Sequence, residues 1–315
     1  MKILKGIEFI AHASPNPVLT IGNFDGVHLG HAQIIKTVLE KARAFGGTSL
    51  ALTFRPHPQI ALKPQLDLPL LSSYDEKLEL LVASGLDLII EEPFSREFST
   101  VAPEQFFTDR IIRGLNPKAI VVGYDFAFGN RREGHLDLLK SLCEKNGIEL
   151  TIVPPYRLEG EVVSSSRIRQ YLLAGDIQGA TRLLGRPFSY RGVVVKGEGR
   201  GRKLGYPTAN LKLENKLVLP YGVYATRARF GERVFPSVTN VGVRPTFFEA
   251  EKEGEALPAL VETYLINTTI DLYGSTLDVC FERRLREERK FSGMDALKAQ
   301  IAQDVLDAEK AVEPV

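Results

Sequence analysis

Cysteine is nearly missing from this sequence. It holds two, Cys143 and Cys280, far apart and in no Cys-x-x-Cys pair. A disulfide framework and a zinc site are thereby excluded, and both thiols are expected to be buried in a reducing compartment. An excess of one charge is missing too. Forty Lys and Arg stand against 39 Asp and Glu, for a formal net charge of +1. Nucleic-acid binders carry a clear basic excess, so no nucleic-acid partner is expected. A small anionic substrate needs only a local positive site. No apolar run approaches the length of a membrane span, and Met1-Lys2-Ile3-Leu4-Lys5-Gly6 lacks the apolar core of a signal peptide. A cytoplasmic chain with no membrane partner is expected, and a homo-oligomer is compatible with the sequence. Internal repeats and low-complexity segments are also missing.

What is present fits two domains. The chain has 315 residues, 44% of them apolar, enough for two cores. The first half alternates short β-branched runs with helical periodicity. Strands are expected at 18–21, 48–54, 88–90, 119–122 and 150–153. Helices are expected at 32–43, after a capping box at Ser73-Tyr74-Asp75-Glu76, from Pro103 to a close at Gly114, and at 136–145. Such alternation implies a doubly wound, mostly parallel sheet covered on both faces. Beyond Leu183-Leu184-Gly185 come strand-like runs at 190–195, 223–230, 234–241, 260–265 and 277–283. A hairpin turn is expected at Phe230-Gly231-Glu232-Arg233. This second pattern suggests a small antiparallel β-barrel. A last helix is expected behind a Ser292 cap, with Met294, Leu297, Ile301 and Val305 as its buried stripe. The expected domains are 1–182 and 183–315.

Two segments carry chemistry. Gly22-Asn23-Phe24-Asp25-Gly26-Val27-His28-Leu29-Gly30-His31 follows a strand and opens a helix. Ligands bind at that edge of an open parallel sheet, and a helix start seats phosphate. His28 and His31 can donate hydrogen bonds to phosphate oxygens, and Gly30 lets backbone come close. This suits attack on the α-phosphorus of ATP with pyrophosphate leaving, which needs charge stabilisation more than a nucleophilic side chain.

The second segment is Gly197-Glu198-Gly199-Arg200-Gly201-Arg202-Lys203-Leu204-Gly205, followed by Tyr206-Pro207-Thr208-Ala209-Asn210. Glycine-rich, basic loops wrap phosphates. This one is neither a dinucleotide fingerprint nor a P-loop. Thr208 and Asn210 supply oxygen ligands fit for Mg²⁺ that phosphates also hold. Glu262 lies within an apolar strand, where a carboxylate is costly unless paired or used.

The first string resembles the signature of bacterial bifunctional riboflavin kinase/FMN adenylyltransferase. Its His-Leu-Gly-His core is shared with a wider adenylyl-transferring superfamily that includes class I aminoacyl-tRNA synthetases. Further segments resemble the same family in order: Thr53-Phe54-Arg55-Pro56-His57-Pro58, Gly123-Tyr124-Asp125-Phe126-Ala127-Phe128-Gly129 and Ser164-Ser165-Ser166-Arg167-Ile168-Arg169. Then come Gly-Tyr-Pro-Thr-Ala-Asn-Leu at 205–211, the segment 240–247, Asp271-Leu272-Tyr273-Gly274 and 285–291. The resemblance implies an enzyme that phosphorylates riboflavin with ATP and then adenylylates the FMN to FAD, with Mg²⁺ in both steps. It assigns His28 and His31 to adenylyl-transfer catalysis. Gly22, Asn23, Phe24, Asp25, Gly30, His57, Asp125, Ser164, Ser165, Ser166 and Arg167 go to its ATP, and Phe126 and Phe128 to its flavin. In the kinase it assigns the loop Gly197, Gly199, Gly201, Lys203 and Gly205 to phosphates, Thr208 and Asn210 to the metal, Glu262 to general base, and Arg286 and Phe291 to flavin. Three positions depart from the family pattern: Ser166 replaces threonine, Tyr264 histidine and Asn267 aspartate.

Overall fold

The computed structural model describes residues 2–7, 15–65, 68–197, 199–213, 219–243 and 259–312. The segment 244–247, Glu198, the tail 313–315 and the side chains of Arg200 and Lys203 lie outside the described residues. The chain divides into two compact units between Ser165 and Ser166.

The first unit is built on six parallel strands. They are β1 (Lys2–Lys5), β2 (Val18–Ile21), β3 (Ser49–Arg55), β4 (Leu88–Pro93), β5 (Ala119–Gly123) and β6 (Glu149–Val153), in the order β1-β4-β3-β2-β5-β6. Its helices are α1 (Leu29–Ala44), α2 (Pro58–Leu62), α3 (Tyr74–Ala83), α4 (Pro103–Phe106), α5 (Arg113–Leu115) and α6 (Leu136–Lys145). A two-stranded ribbon, β7 (Arg157–Leu158) and β8 (Glu161–Val162), follows.

Successive strand residues point to opposite faces, so an unbroken apolar run fills two cores at once. On one face Ile35 and Val38 of α1 and Leu78 and Leu81 of α3 pack on Val18, Ala51 and Ile89. On the other, Phe106, Ile111, Leu139 and Cys143 pack on Leu19, Leu52 and Ile120. The chain builds outward from β2 through β3 to β4, then crosses to β5 on β2's other side. The ends of β2 and β5 therefore flank the switch point where ligand crevices open.

The Ser73 capping box forms as expected, with Glu76 N–H on Ser73 Oγ and Ser73 N–H on the Glu76 carboxylate. Gly114 does not close its helix. The run passes through a π-helical turn (Phe107–Ile112) and ends at Asn116, whose φ of 44° is left-handed. Asparagine tolerates that conformation and competes with glycine for it.

In the second unit, α7 (Ser165–Ala174) and α8 (Ile177–Leu184) lead to a closed barrel. Its strands are β9 (Phe188–Val195), β10 (Thr208–Leu213), β11 (Gly222–Phe230), β12 (Arg233–Val243), β13 (Ala259–Leu265) and β14 (Thr276–Glu287). All neighbours run antiparallel in the order β10-β13-β12-β11-β14-β9, and β10 closes on β9. The sequence pattern anticipated five of these strands and not β10. The expected hairpin turn joins β11 to β12, with Gly231 at φ 60°.

Inside the barrel, Tyr190 and Tyr224 meet Phe281 edge-on. A chain of hydroxyls runs beside them: Ser237 to Thr226 (2.8 Å), Thr226 to Thr239 (2.8 Å) and Thr239 to Thr263 (2.9 Å). All four residues are fully buried. Paired hydroxyls avoid the desolvation cost of lone ones, so four β-branched or small residues fill a core position without leaving orphans.

Helix α10 (Met294–Ala311) lies against β11, β12 and β14, with Ala308 packed on Val223, Ala225 and Val238. Three expectations change here. The helix starts after Gly293 with no side-chain cap, not behind Ser292. Of the expected stripe, Leu297, Ile301 and Val305 are half-buried on the inward face, but Met294 is 62% exposed and the fully buried positions are Asp304 and Ala308. Asp304 can be inward because Arg286 of β14 neutralises it, so apolar periodicity finds this face but misses its buried carboxylate. Cys280, finally, is half-buried on β14 while Cys143 is buried as expected.

Thr239 is the central link of the hydroxyl chain. Thr239→Val should leave Thr226 and Thr263 each short of a partner and cost about 1–3 kcal/mol. Equilibrium urea unfolding measures this, and an unchanged midpoint would contradict the account.

Candidate active sites

The turn after β2 is held in an unusual backbone. Phe24 (φ 51°) and Val27 (φ 37°) are both left-handed. For a β-branched residue that conformation is costly and persists only where surroundings impose it. The surroundings here are polar. Asp25, 5% exposed, accepts the Leu71 N–H (2.9 Å) and Ser72 N–H (3.3 Å) on its carboxylate. Gly26 N–H donates to Ser72 Oγ (3.1 Å) and Thr53 Oγ1 donates to the Asn23 carbonyl (3.2 Å). Ser165 Oγ donates to the Asp25 carbonyl (3.1 Å). Asp25 thus fixes the turn from beneath.

His28 caps α1, its Nδ1 accepting the His31 N–H at 3.3 Å. The neutral ring then carries its proton on Nε2. The His28 and His31 rings stack with centroids 3.7 Å apart, and Phe24 meets His31 edge-on at 5.3 Å. A Cβ at Gly30 would sit 3.1 Å from the His28 ring and 3.3 Å from Val163 O, so this glycine also makes room for the imidazole. Gly22 likewise faces the Phe24 ring. The N–H groups of Leu29 and Gly30 open the helix at its positive end.

His57 repeats the His28 arrangement. It caps α2 with Nδ1 toward the Gln59 N–H (3.2 Å), and its own N–H donates to Tyr74 Oη (2.9 Å). After β5, Asp125 is exposed, and its Oδ1 would lie 3.1 Å from a Cβ at Gly123. Phe126 and Phe128 stack at 5.6 Å. Phe128 is buried and continues through Phe106 and Phe98 to Phe54, so its ring is part of the core while Phe126 is half-buried. Ser164 is half-buried beside Ser165. Ser166 and Arg167 fall past the division between the units and are exposed on α7, where the guanidinium lies 4.6 Å over the Tyr171 ring.

In the barrel, cross-strand register builds the site. Residues paired across antiparallel strands point to the same face. Asn210 pairs with Glu262, Glu262 with Asn240, Asn240 with Val223 and Val223 with Arg286. This row crosses five strands, and all five residues line a cavity of about 480 Å³ beneath α10. The next row, Thr208, Tyr264 and Val238, lines it too. Tyr206 meets Tyr264 edge-on at 5.3 Å. Glu262 therefore faces the cavity between two amides, Asn210 and Asn240.

The cavity rim is the segment after β14. Arg286 donates two hydrogen bonds to the Asp304 carboxylate, from Nε and Nη2, each at 2.8 Å. Its guanidinium also lies 5.6 Å from the Phe291 ring centre, with Arg289 at 5.1 Å. Arg289 bonds Gln300 of α10. Glu288 lies over Gly242, where a Cβ would come 2.4 Å from its Oε1.

A second cavity of about 500 Å³ is bordered by Gly197, Gly199, Arg202 and Asp271. Gly197, Thr208 and Asn210 line both cavities. The glycine-rich loop folds around a short helix, α9 (Arg200–Leu204), entered and left through Gly199 (φ 68°) and Gly205 (φ 89°). A Cβ at Gly197 would fall 2.3 Å from Asn210 Nδ2, and one at Gly201 2.4 Å from Tyr206 O. These glycines let the loop close on the Thr208–Asn210 wall. Asn267 sits at φ 53° with Nδ2 toward Glu309 (3.4 Å), where an aspartate would oppose like charge.

Sequence reasoning missed Asn240, Glu288 and Asp304. Period-two alternation along β12 could have put Asn240 on Val238's face, but only the register sets it beside Glu262.

A family model described as FAD synthetase matches residues 10–167, and one described as riboflavin kinase matches residues 184–312. The bifunctional riboflavin kinase/FMN adenylyltransferase of Escherichia coli K12 is 34% identical over 98% of this chain and 97% of its own length. That of Bacillus subtilis is 35% identical over 96% and 94%. A solved structure from Streptococcus pneumoniae, described as a macrolide-efflux protein, is 31% identical with a TM-score of 0.86 and covers 98% of both chains. Among the described residues, no helix of this chain is long and apolar enough to cross a membrane. With both enzyme models matched in sequence and full-length relatives above 30% identity, the chain belongs to the bifunctional riboflavin kinase/FMN adenylyltransferase family.

Proposed function

We propose that this chain makes FAD in two steps at two separate sites: riboflavin and ATP give FMN and ADP, then FMN and ATP give FAD and pyrophosphate. One observation carries the kinase half. Gly197, Thr208 and Asn210 form a wall common to two cavities, with Glu262 facing one side and the glycine-rich loop the other. Riboflavin takes the cavity under α10, bordered by Tyr206, Tyr264 and Phe291. The nucleotide takes the other. Glu262 accepts the proton of the ribityl 5′-hydroxyl as that oxygen attacks the γ-phosphorus. Arg286, held by Asp304, keeps the rim over the flavin in place.

Thr208 and Asn210 fit Mg²⁺ of a particular kind. A hydroxyl and an amide oxygen are hard, neutral donors, and among the described residues no cluster of three or more His, Cys, Asp or Glu stands ready for a resident ion. They suit an ion that arrives with the nucleotide, where it neutralises phosphate charge.

In the first unit, His28 through its Nε2 and His31 donate to the ATP phosphates at the start of α1, with His57, Ser164 and Ser165 completing the nucleotide site. The phosphate of FMN attacks the α-phosphorus, and the imidazoles take up the charge that develops. Asp125 meets the nucleotide and Phe126 borders the flavin end. We take residues 1–182 as the adenylyltransferase and 183–315 as the kinase, working in the cytoplasm where both substrates are supplied.

The activities should separate. His31→Ala should slow FAD formation from FMN by about 10²–10³ while leaving FMN production intact. Glu262→Gln should slow phosphorylation of riboflavin by about 10²–10⁴ while FMN fed directly still becomes FAD. Gly197→Ala should push Asn210 off the wall and cut phosphorylation alone, by about tenfold or more. Chromatography of flavin products measures each. One folded variant losing both steps would defeat the two-site reading.

A further inference from the structure

Lys77 is an unusual residue for its position. It lies in the first unit on α3, 4% exposed, on the helix face that Leu78 and Leu81 bury against the sheet. Buried ammonium groups are rare because the charge must be solvated by something. Here Nζ donates to Thr53 Oγ1 (3.0 Å) and to the Phe54 carbonyl (2.9 Å), both at the end of β3. Thr53 Oγ1 in turn donates to the Asn23 carbonyl. The chain therefore runs from Lys77 through one hydroxyl into the turn that carries His28 and His31. Through Phe54 it also holds the strand end that carries His57, three residues on.

The charges around Lys77 come from every neighbouring element. Glu91 of β4, 3% exposed, is the register partner of Thr53 and points to the same face. Its Oε1 has no hydrogen-bond partner among the described residues, and its Oε2 is 3.9 Å from Arg55 Nη1. Asp25 faces Lys77 from the turn after β2, and Arg55 from β3. Tyr74 of α3 places its ring 5.4 Å from Nζ and 4.8 Å from the Arg55 guanidinium.

We infer that Lys77 is a positioning residue for adenylyl transfer. Its ammonium ties together the two loops that bear His28, His31 and His57. It also offsets the carboxylates of Asp25 and Glu91 beneath the place where the ATP phosphates sit. This rests on the adenylyl-transfer reading of that turn. Burial pushes the Lys77 ammonium down to about 8, against the pull of Glu91 and then Asp25 and with a further push from Arg55. The geometry gives this a specific consequence. A neutral amine keeps two N–H donors, so Thr53 and Phe54 stay bonded when the proton leaves. What is lost above pH 8 is charge alone, and the two carboxylates then repel the incoming phosphates.

The test is kcat/KM for ATP in FMN adenylylation from pH 7 to 9.5, with riboflavin phosphorylation by the same chain as internal control. In the wild type, adenylylation should fall as pH rises through about 8, and phosphorylation should not share that inflection. Lys77→Met should lower adenylylation about 10- to 100-fold at pH 7 and remove the inflection, with phosphorylation within about twofold. A Lys77→Met chain with full adenylylation, or with the wild-type inflection intact, overturns the proposal. If that variant does not fold, the wild-type profile decides: a flat adenylylation profile overturns it, and an inflection confined to adenylylation supports it. A wild-type chain that makes no FAD from FMN at all fails the function itself, a result distinct from failure of Lys77.

Discussion

Register in the antiparallel barrel is the constraint on which the kinase site depends. Pairing of β10, β13, β12, β11 and β14 sends Asn210, Glu262, Asn240, Val223 and Arg286 to one face in one line. The intervening residues go inward. Ala209, Val261 and Thr263 are buried, and Thr263 ends the hydroxyl chain that fills the barrel. A one-residue slip would exchange these sets, putting a carboxylate in the core and apolar side chains in the cavity. The barrel's stability and the placement of Glu262, the proposed general base, thus rest on the same register. The wall common to both cavities follows from it, because Thr208 and Asn210 belong to the strand that closes the barrel.

The first unit solves a different problem with different means. A parallel sheet buried on both faces leaves only strand ends for chemistry, and β2 and β5 flank the point where the chain changes direction. The loop after β2 carries left-handed Phe24 and Val27, a conformation that buried polar contacts must hold. Asp25, Ser72, Thr53 and Lys77 supply them. His28 and His57 both turn Nδ1 toward backbone and leave Nε2 as the donor. Each ring is thus fixed by the start of its own helix, and in the proposed adenylyl transfer such donors need not reorient as charge develops.

Much of this was legible in the sequence. The parallel sheet follows from short apolar runs alternating with helical periodicity, the Ser73 cap from its capping-box spacing, and both candidate sites from glycine-containing strings that resemble one family. The rest depended on distance in space. Strand β10 lies inside a motif read as a metal site and not as a strand, because Thr-Ala-Asn-Leu-Lys-Leu holds only one of the β-branched or aromatic residues that mark strands. Asn240 reads as one polar residue in a β-branched strand until register sets it beside Glu262. Asp304 breaks the apolar stripe of α10, and its partner Arg286 is remote in sequence. Lys77 looks like an ordinary helical surface lysine, since nothing local reveals that its neighbours are Thr53, Phe54 and Glu91. Helix ends were the remaining misses: Asn116 took the role expected of Gly114, and Gly293 that of Ser292.

The most direct test of two sites in one chain is a product time course. The purified chain is incubated with riboflavin, ATP and Mg²⁺, and flavins are separated by chromatography as pyrophosphate is measured. FMN should rise first, FAD should follow, and pyrophosphate should track FAD and not FMN. Riboflavin left unconverted by well-folded protein, or pyrophosphate released in step with FMN, would contradict the assignment of separate phosphoryl- and adenylyl-transfer sites.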